Sequence, residues 1–281
     1  MPRTGLVLCA GTLPRGTPFA ERLAAASAAG FHAISLWGRD YQAIRDEGWS
    51  DADLRVMLDD HGLTVGELDP AWWWTPGAGN VHIPPELDPV DVFRFGEADL
   101  FHVADVLGAR SLNAADVLGG SWSVEEATDA FGSLCDRAAE HGLLVHLEWL
   151  AWSRVRDLAT ACQIVDGAGR ANGGLNVDFW HCGRTGVTAE DLRTIRPDHV
   201  LAVQVADAGP EPENDMIEET LHRRLLPGDG ALDVLGYVTA LHSIGVTAPF
   251  GIEVFSDDLH AGGPFLAAQR AGDALRSVLG A

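Results

Sequence analysis

Short apolar runs, each followed by a longer segment with helical spacing, recur along the whole chain. TGLVLCA reads as a first strand and TPFAERLAAASAAG as an Ala-rich helix that Gly30 ends. FHAISLW gives a second strand, and after it an acidic helical segment runs from Ser50 to His61, where Ser50 and Asp53 resemble a capping box with a shorter acid. LTVGELD is a third strand. The stretch from Pro70 to Pro89 is irregular, with Trp72, Trp73 and Trp74 among prolines and glycines. A helix from about Val90 to Leu107 leads to RSLNAA, a weaker fourth strand, and then to a Ser-capped helix from Ser123 to His141. LLVHLEW, GLNVDFWH, VLAVQVAD and FGIEVF supply strands five to eight. Helices are predicted at roughly Val155 to Ala168, Thr188 to Ile195, Leu232 to Ile244 and Pro264 to Leu279.

The last four runs are rich in Val, Ile and Leu, as buried parallel strands are. Eight alternations of strand and helix predict an α/β fold, a single (β/α)8 TIM barrel over residues 1–281 with a long active-site loop at about 206–230. A doubly wound sheet is the competitor. Against it, the first β-to-α turn, CAGTLPRG, lacks the Gly-rich dinucleotide fingerprint, and no phosphate-binding Walker pattern occurs.

Composition narrows the chemistry. All 19 basic residues are arginine, so Schiff-base aldolase chemistry and lysine-anchored pyridoxal phosphate are excluded. A formal charge of -22 predicts no nucleic-acid partner and no anionic membrane surface. Cys9, Cys135, Cys162 and Cys182 are scattered, without the paired spacing of a structural zinc or redox motif. MPRTGLVLCAG has too short an apolar run for a signal peptide, and no stretch reaches the length of a membrane span, so a soluble, cytoplasmic protein is expected.

Four polar residues stand where the last four runs stop: Glu148, Asp178, Gln204 and Glu253. Strand C-termini gather on one face of a barrel, and three converging carboxylates repel one another unless a cation holds them. An oxygen-rich divalent site follows, with Mn2+ first, Mg2+ or Co2+ as alternatives, and Zn2+ less favoured without a Cys or clear His ligand set. Any one of these carboxylates could instead cap a helix or pair with an arginine.

The residues LEW at 147–149, DFWH at 178–181, QVAD at 204–207, RRLLPGDG at 223–230 and IEVFSDDL at 252–259 resemble the xylose-isomerase-like sugar phosphate isomerase/epimerase superfamily. The resemblance spans nearly the whole chain. It implies a divalent metal held by Glu148, Asp178, the residue at 204 and Glu253, with His181 contacting a substrate oxygen. It also implies that Glu148 and Glu253 lie on opposite faces of the substrate as base and acid. Many epimerases of that superfamily carry histidine where this chain has Gln204, and this departure brings dehydration and elimination into view.

Arg223 or Arg224 is a candidate to grip the substrate, with neutralisation of the acids of the long loop as the alternative. His181 could likewise be a core histidine. Trp37, Trp72, Trp149 and Trp180 follow predicted strands and are candidate substrate-binding residues, unless they serve an interface in a homo-oligomer. A wall so rich in indole predicts a small-molecule, sugar-like substrate with an apolar or bulky portion. Phosphate recognition has little support, and His82, His102 and His222 receive no role. Three readings stay open: a metal-dependent isomerase or epimerase working through an enediolate, a lyase that dehydrates or β-eliminates from a 3-keto sugar, glycoside or cyclic polyol, and a non-catalytic carbohydrate-binding barrel.

Overall fold

The computed structural model describes residues 5–78, 81, 83, 88, 91, 93–117 and 120–280. Eight parallel strands close into a barrel in sequential order. They are β1 (Leu6–Leu8), β2 (Ala33–Trp37), β3 (Thr64–Ala71), β4 (Ser111–Ala115), β5 (Leu144–Glu148), β6 (Gly173–Asp178), β7 (Val200–Val205) and β8 (Phe250–Ile252). The first and last strands pair in parallel, Leu6 with Phe250 and Leu8 with Ile252, which closes the cylinder.

Most predicted helices form close to their expected places: Phe19–Ala28, Asp51–Asp60, Val124–Ala139, Leu158–Ala168, Val234–Ile244 and Pro264–Leu279. Ser50 accepts from the Asp53 amide, and Ser123 from the Glu126 amide, as N-caps should. Gly30 takes the left-handed conformation, φ 78°, just past the first helix. Three differences have local causes. The helix predicted from Val90 begins at Glu97, capped by the Asp99 carboxylate on the Gly96 amide, while Val90 and His82 lie outside the described residues. GLNVDFWH stops being a strand at Asp178, which caps a helix Phe179–Thr185 by accepting from the His181 amide. The third is a pair of helices, Gly38–Asp46 and Met216–His222, in segments too polar for an apolar period to betray them.

The apolar core lies between the sheet and the helices, where Val145, Leu147, Val177, Val203 and Ile252 pack against Phe131, Leu134, Leu241 and Leu275. The barrel interior is different. Along each strand, side chains two apart share a face, and the inward positions here are polar: Glu67 and Asp69, Ser111 and Asn113, His146 and Glu148, Asn176 and Asp178, then Gln204, all buried. Hydrogen bonds join most of them, Gln204 to Glu67 and Asn176, His146 to Ser111 and Asn113, and Asn113 to Asp69 and Glu148, as a buried polar interior requires.

The long loop after β7 is anchored at both ends. Asp207 is 1% exposed, and its carboxylate accepts from the amides of Ala208, Gly228, Gly230 and Leu232, drawing the LPGDG turn back onto the strand end. Between these anchors, the helix Met216–His222 is tied to the helix Phe179–Thr185 through the buried Arg184–Glu219 pair, with Nε to Oε1 at 2.9 Å. Ile217, Thr220 and Leu221 thereby reach over the barrel mouth. Among the described residues, no helix is long and apolar enough to cross a membrane.

Candidate active site

A cavity of about 260 Å³ opens at the C-terminal end of the barrel. Its polar lining is Asp69, Asp88, Glu148, His181, Thr220, Arg224 and Glu253, and its apolar walls include Trp37, Leu150, Trp152 and Phe255. Ligand atoms of Glu148, Asp178 and His181 all lie within 4.8 Å of one another, and the three residues are buried. Asp178 and Glu253 meet at one nitrogen, because Arg224 Nη1 donates to Asp178 Oδ2 at 2.8 Å and to Glu253 Oε2 at 3.2 Å.

Each group carries a different electrostatic burden. Burial, reinforced by the charges of Asp178 and Glu253, holds the Glu148 carboxyl well above the usual carboxylate range. Burial likewise raises Glu253 to about 8, with the adjacent Arg224 opposing the rise. For Asp178, burial pushes upward, yet Arg224 and the His181 amide together leave it below its ordinary value. His181 is pushed down to about 3 by burial and by Arg224, so its ring is neutral near pH 7. Its Nδ1 accepts from the Ala151 amide at 3.3 Å, which assigns the proton to Nε2, 3.7 Å from Glu148 Oε1. A neutral imidazole N–H facing the cavity suits donation to a substrate oxygen.

Several strand-end residues also do the structural work that the sequence left open for them. Asp178 both caps a helix and pairs with an arginine. Arg224, 3% exposed, is bound to Asp178, Glu253 and Thr220, with Trp180 and Phe255 stacked against its guanidinium at 5.2 Å each. Arg223 points away, half-exposed, and pairs with Glu213 and Glu218 of its own loop. Trp37 lines the cavity and donates from its indole to Asp69 at 3.3 Å. Trp72, Trp149 and Trp180 are not among its lining residues: Trp72 is bonded to the Phe95 carbonyl, and the other two are fully buried. Trp152, against His181 at 5.2 Å between ring centroids, takes the wall position instead.

Gln204 pairs in register with Asp178 but lines the small space beneath the mouth. Its amide donates to Glu67 Oε1 at 2.7 Å and its carbonyl accepts from Asn176 at 2.8 Å. Asn113 is a residue that strand-end reasoning misses, and it bridges Asp69 at 2.9 Å and Glu148 at 2.7 Å. His146 in turn contacts Asn113 and Glu67, at 3.1 and 3.3 Å. A signal for these residues existed: polar side chains two positions before a strand end, as in LVHLE and LNVD, point the same way as the end itself.

Residues 23–278 match the family described as xylose isomerase-like TIM barrel. The chain belongs to that family. It is 30% identical over 278 residues, 97% of its length, to a 3-dehydroshikimate dehydratase of Pseudomonas aeruginosa, and spans 40% of the length of that protein. An inosose isomerase of Bacillus subtilis is 25% identical over 138 residues, which is 48% of this chain and 49% of that one. Among solved structures, the IOLI protein with a bound zinc atom superposes with a TM-score of 0.85 over 98% of both chains, at 19% identity. The first two relatives carry dehydratase and isomerase names, so both elimination and isomerisation fit the family.

The donor set suits a divalent cation on its own chemistry. Ligand atoms of Glu148, Asp178 and His181 are close enough to share an ion, Glu253 meets Asp178 at the Arg224 guanidinium, and Glu148 and Glu253 hold raised pKa values. A metal stabilises oxygen donors so placed, and without one burial favours the protonated forms of Glu148 and Glu253 but not of Asp178.

Proposed function

We propose that this chain is a divalent-metal-dependent lyase that removes water from a cyclic β-hydroxy ketone of the 3-dehydroshikimate type. The observation that carries the reading is the meeting of Glu148, His181, Arg224 and Glu253 in one cavity with apolar walls. Whole-chain similarity to a dehydratase supports elimination over isomerisation. The ion, Mn2+ in the first instance, would be held by Glu148, Asp178 and Glu253, while Gln204, expected as a fourth donor, is engaged with Glu67 and Asn176 beneath the mouth. When bound, it supplies stabilisation of negative charge developing on the ketone oxygen.

The protein's own groups do the rest. His181 donates its Nε2–H to a substrate oxygen. One of the pair Glu148 and Glu253 takes the proton from the carbon beside the ketone. The electron pair then forms the new double bond, and the β-hydroxyl leaves as water with a proton from the other carboxyl. Asn113 fixes the Glu148 carboxylate, and Arg224 fixes that of Glu253. The apolar walls suit a flat, partly unsaturated ring.

Epimerisation is the second reading, favoured by the inosose isomerase relative, because returning the proton to the opposite face of the same carbon inverts it. Incubation of Mn2+-loaded protein with 3-dehydroshikimate, and separately with an inosose, in deuterated water separates the two. Elimination lowers the product mass by one water and yields an aromatic chromophore, whereas epimerisation conserves the skeleton and adds deuterium at carbon. Turnover of neither compound, with bound metal verified, removes both.

A further inference from the structure

Beside the mouth lies a second cavity, about 100 Å³, formed by the end of β2 and the segments after β1, β2, β7 and β8. It shares Trp37, Leu221 and Phe255 with the catalytic cavity. Gly11 makes the close packing possible, since a Cβ there would sit 2.3 Å from the Phe255 ring. The charged lining of this second cavity is mostly basic: Arg15, Arg22 and Arg39 face a single carboxylate, Asp257, with the His222 and His260 rings beside them. In a chain of 41 acidic and 19 basic residues, such a gathering runs against composition.

The acids nearby leave part of this charge unanswered. Asp257 is engaged by His222 at 3.1 Å. Asp40 receives two hydrogen bonds from Arg22, at 2.9 and 3.2 Å. Yet the Nε of Arg22, in a side chain only 9% exposed, has no hydrogen-bond partner among the described residues. Leaving a buried N–H of a charged group unmade is costly. Arg39 makes no ion pair among the described residues and lies 4.2 Å over the face of Trp37, whose indole edge belongs to the mouth. A buried unpartnered donor and an unpaired guanidinium, beside the reacting cavity, are the elements of an oxyanion site.

We propose that this cavity is the subsite for the carboxylate of the substrate, held by Arg22 and Arg39 while the ring occupies the mouth. The inference rests on the cyclic keto-acid reading given above. It places anion recognition at the loops after β1, β2 and β8, where the sequence offers no Gly-rich phosphate turn and no lysine.

Calorimetry on the Mn2+-loaded protein tests it with three probes: 3,4-dihydroxybenzoate, which is the aromatic ring that dehydration would yield, catechol, which lacks the carboxylate, and inorganic phosphate. Wild type should bind dihydroxybenzoate at least about tenfold tighter than catechol, the scale of one charge-assisted hydrogen bond. Arg39→Gln should bring the two within about threefold without changing catechol, and Arg39→Lys should restore part of the preference. The subsite is overturned if Arg39→Gln keeps the full preference, if wild type shows none, or if phosphate binds through Arg39 without competing with dihydroxybenzoate. Loss of the dehydratase reading looks different: no water is released from dehydroshikimate, while the Arg39-dependent preference persists.

Discussion

The acidic mouth and the basic hollow next to it share a wall but handle charge in opposite ways. In the mouth, carboxylates from β3, β5 and β6 and from just after β8 are buried in the barrel's polar network, and their crowding is relieved by raised pKa values, by Arg224 and by room for a cation. In the hollow, Arg22 and Arg39 from the β1 and β2 side come together, and among the described residues Arg39 makes no ion pair while the Arg22 Nε has no hydrogen-bond partner. Like charges at close range are tolerated where a ligand of opposite sign completes them. On the proposed reading the mouth takes a cation and the hollow an anion, which together would suit a metal-loaded site for an acidic substrate.

The largest expected effect tests the mouth. Glu148→Gln and Glu253→Gln should each lower turnover by at least about a hundredfold, the scale of lost acid–base catalysis, with the circular dichroism of the folded barrel retained. Near-wild-type rates in either variant would end the two-carboxylate mechanism.

Removing Arg224 should be the next most damaging change. Arg224→Met leaves Asp178 and Glu253 without their shared guanidinium, and breaking a buried pair in this way costs about 3–5 kcal/mol. If the mouth is a cation site, Mn2+ should raise the melting temperature of this variant more than that of wild type. Equal shifts would show that Arg224 and the metal do not answer the same charge.

A smaller, pH-dependent effect follows from the raised carboxyls. Glu253 binds its proton up to about 8 in the folded chain, above its unfolded value, so the folded state holds more protons through that interval. Glu148 shifts in the same direction, and the lowered Asp178 in the other. Stability of the metal-free protein should therefore fall as pH rises from the ordinary carboxylate range through about 8. Added Mn2+ should stabilise increasingly over the same interval, because it displaces those protons. Thermal melts across pH, with and without Mn2+, check both signs. The smallest effect is expected at Arg223→Ala, whose loop ion pairs are solvent-exposed: melting temperature and kcat should stay near wild type, in contrast to its neighbour.

Much of this molecule is legible without coordinates. Eight strand-and-helix units, the Ser50 and Ser123 caps and the Gly30 stop follow from local rules, because turn chemistry and the period of apolar residues are properties of a few consecutive residues. That Glu148, Asp178 and Glu253 face the barrel mouth follows from where their strands stop, since parallel strands deliver their C-termini to one end. Position along the chain could not say what each side chain touches there. Arg223 and Arg224 are adjacent, yet one faces solvent and the other lies between two site carboxylates. Trp180 lies just past one strand and Trp37 at the end of another, yet Trp180 is buried as a platform for Arg224 while Trp37 forms a cavity wall. Gln204 is spent on Asn176 and Glu67, partners 28 and 137 residues away. Arg22 and Arg39 meet only because β1 and β2 are neighbours in the barrel. The order of elements and the end of the barrel that carries chemistry were set by sequence-local physics. The partner of each charge was set by closure of the barrel, which brings residues far apart in the chain to within hydrogen-bonding distance and leaves burial to decide which of them must be satisfied.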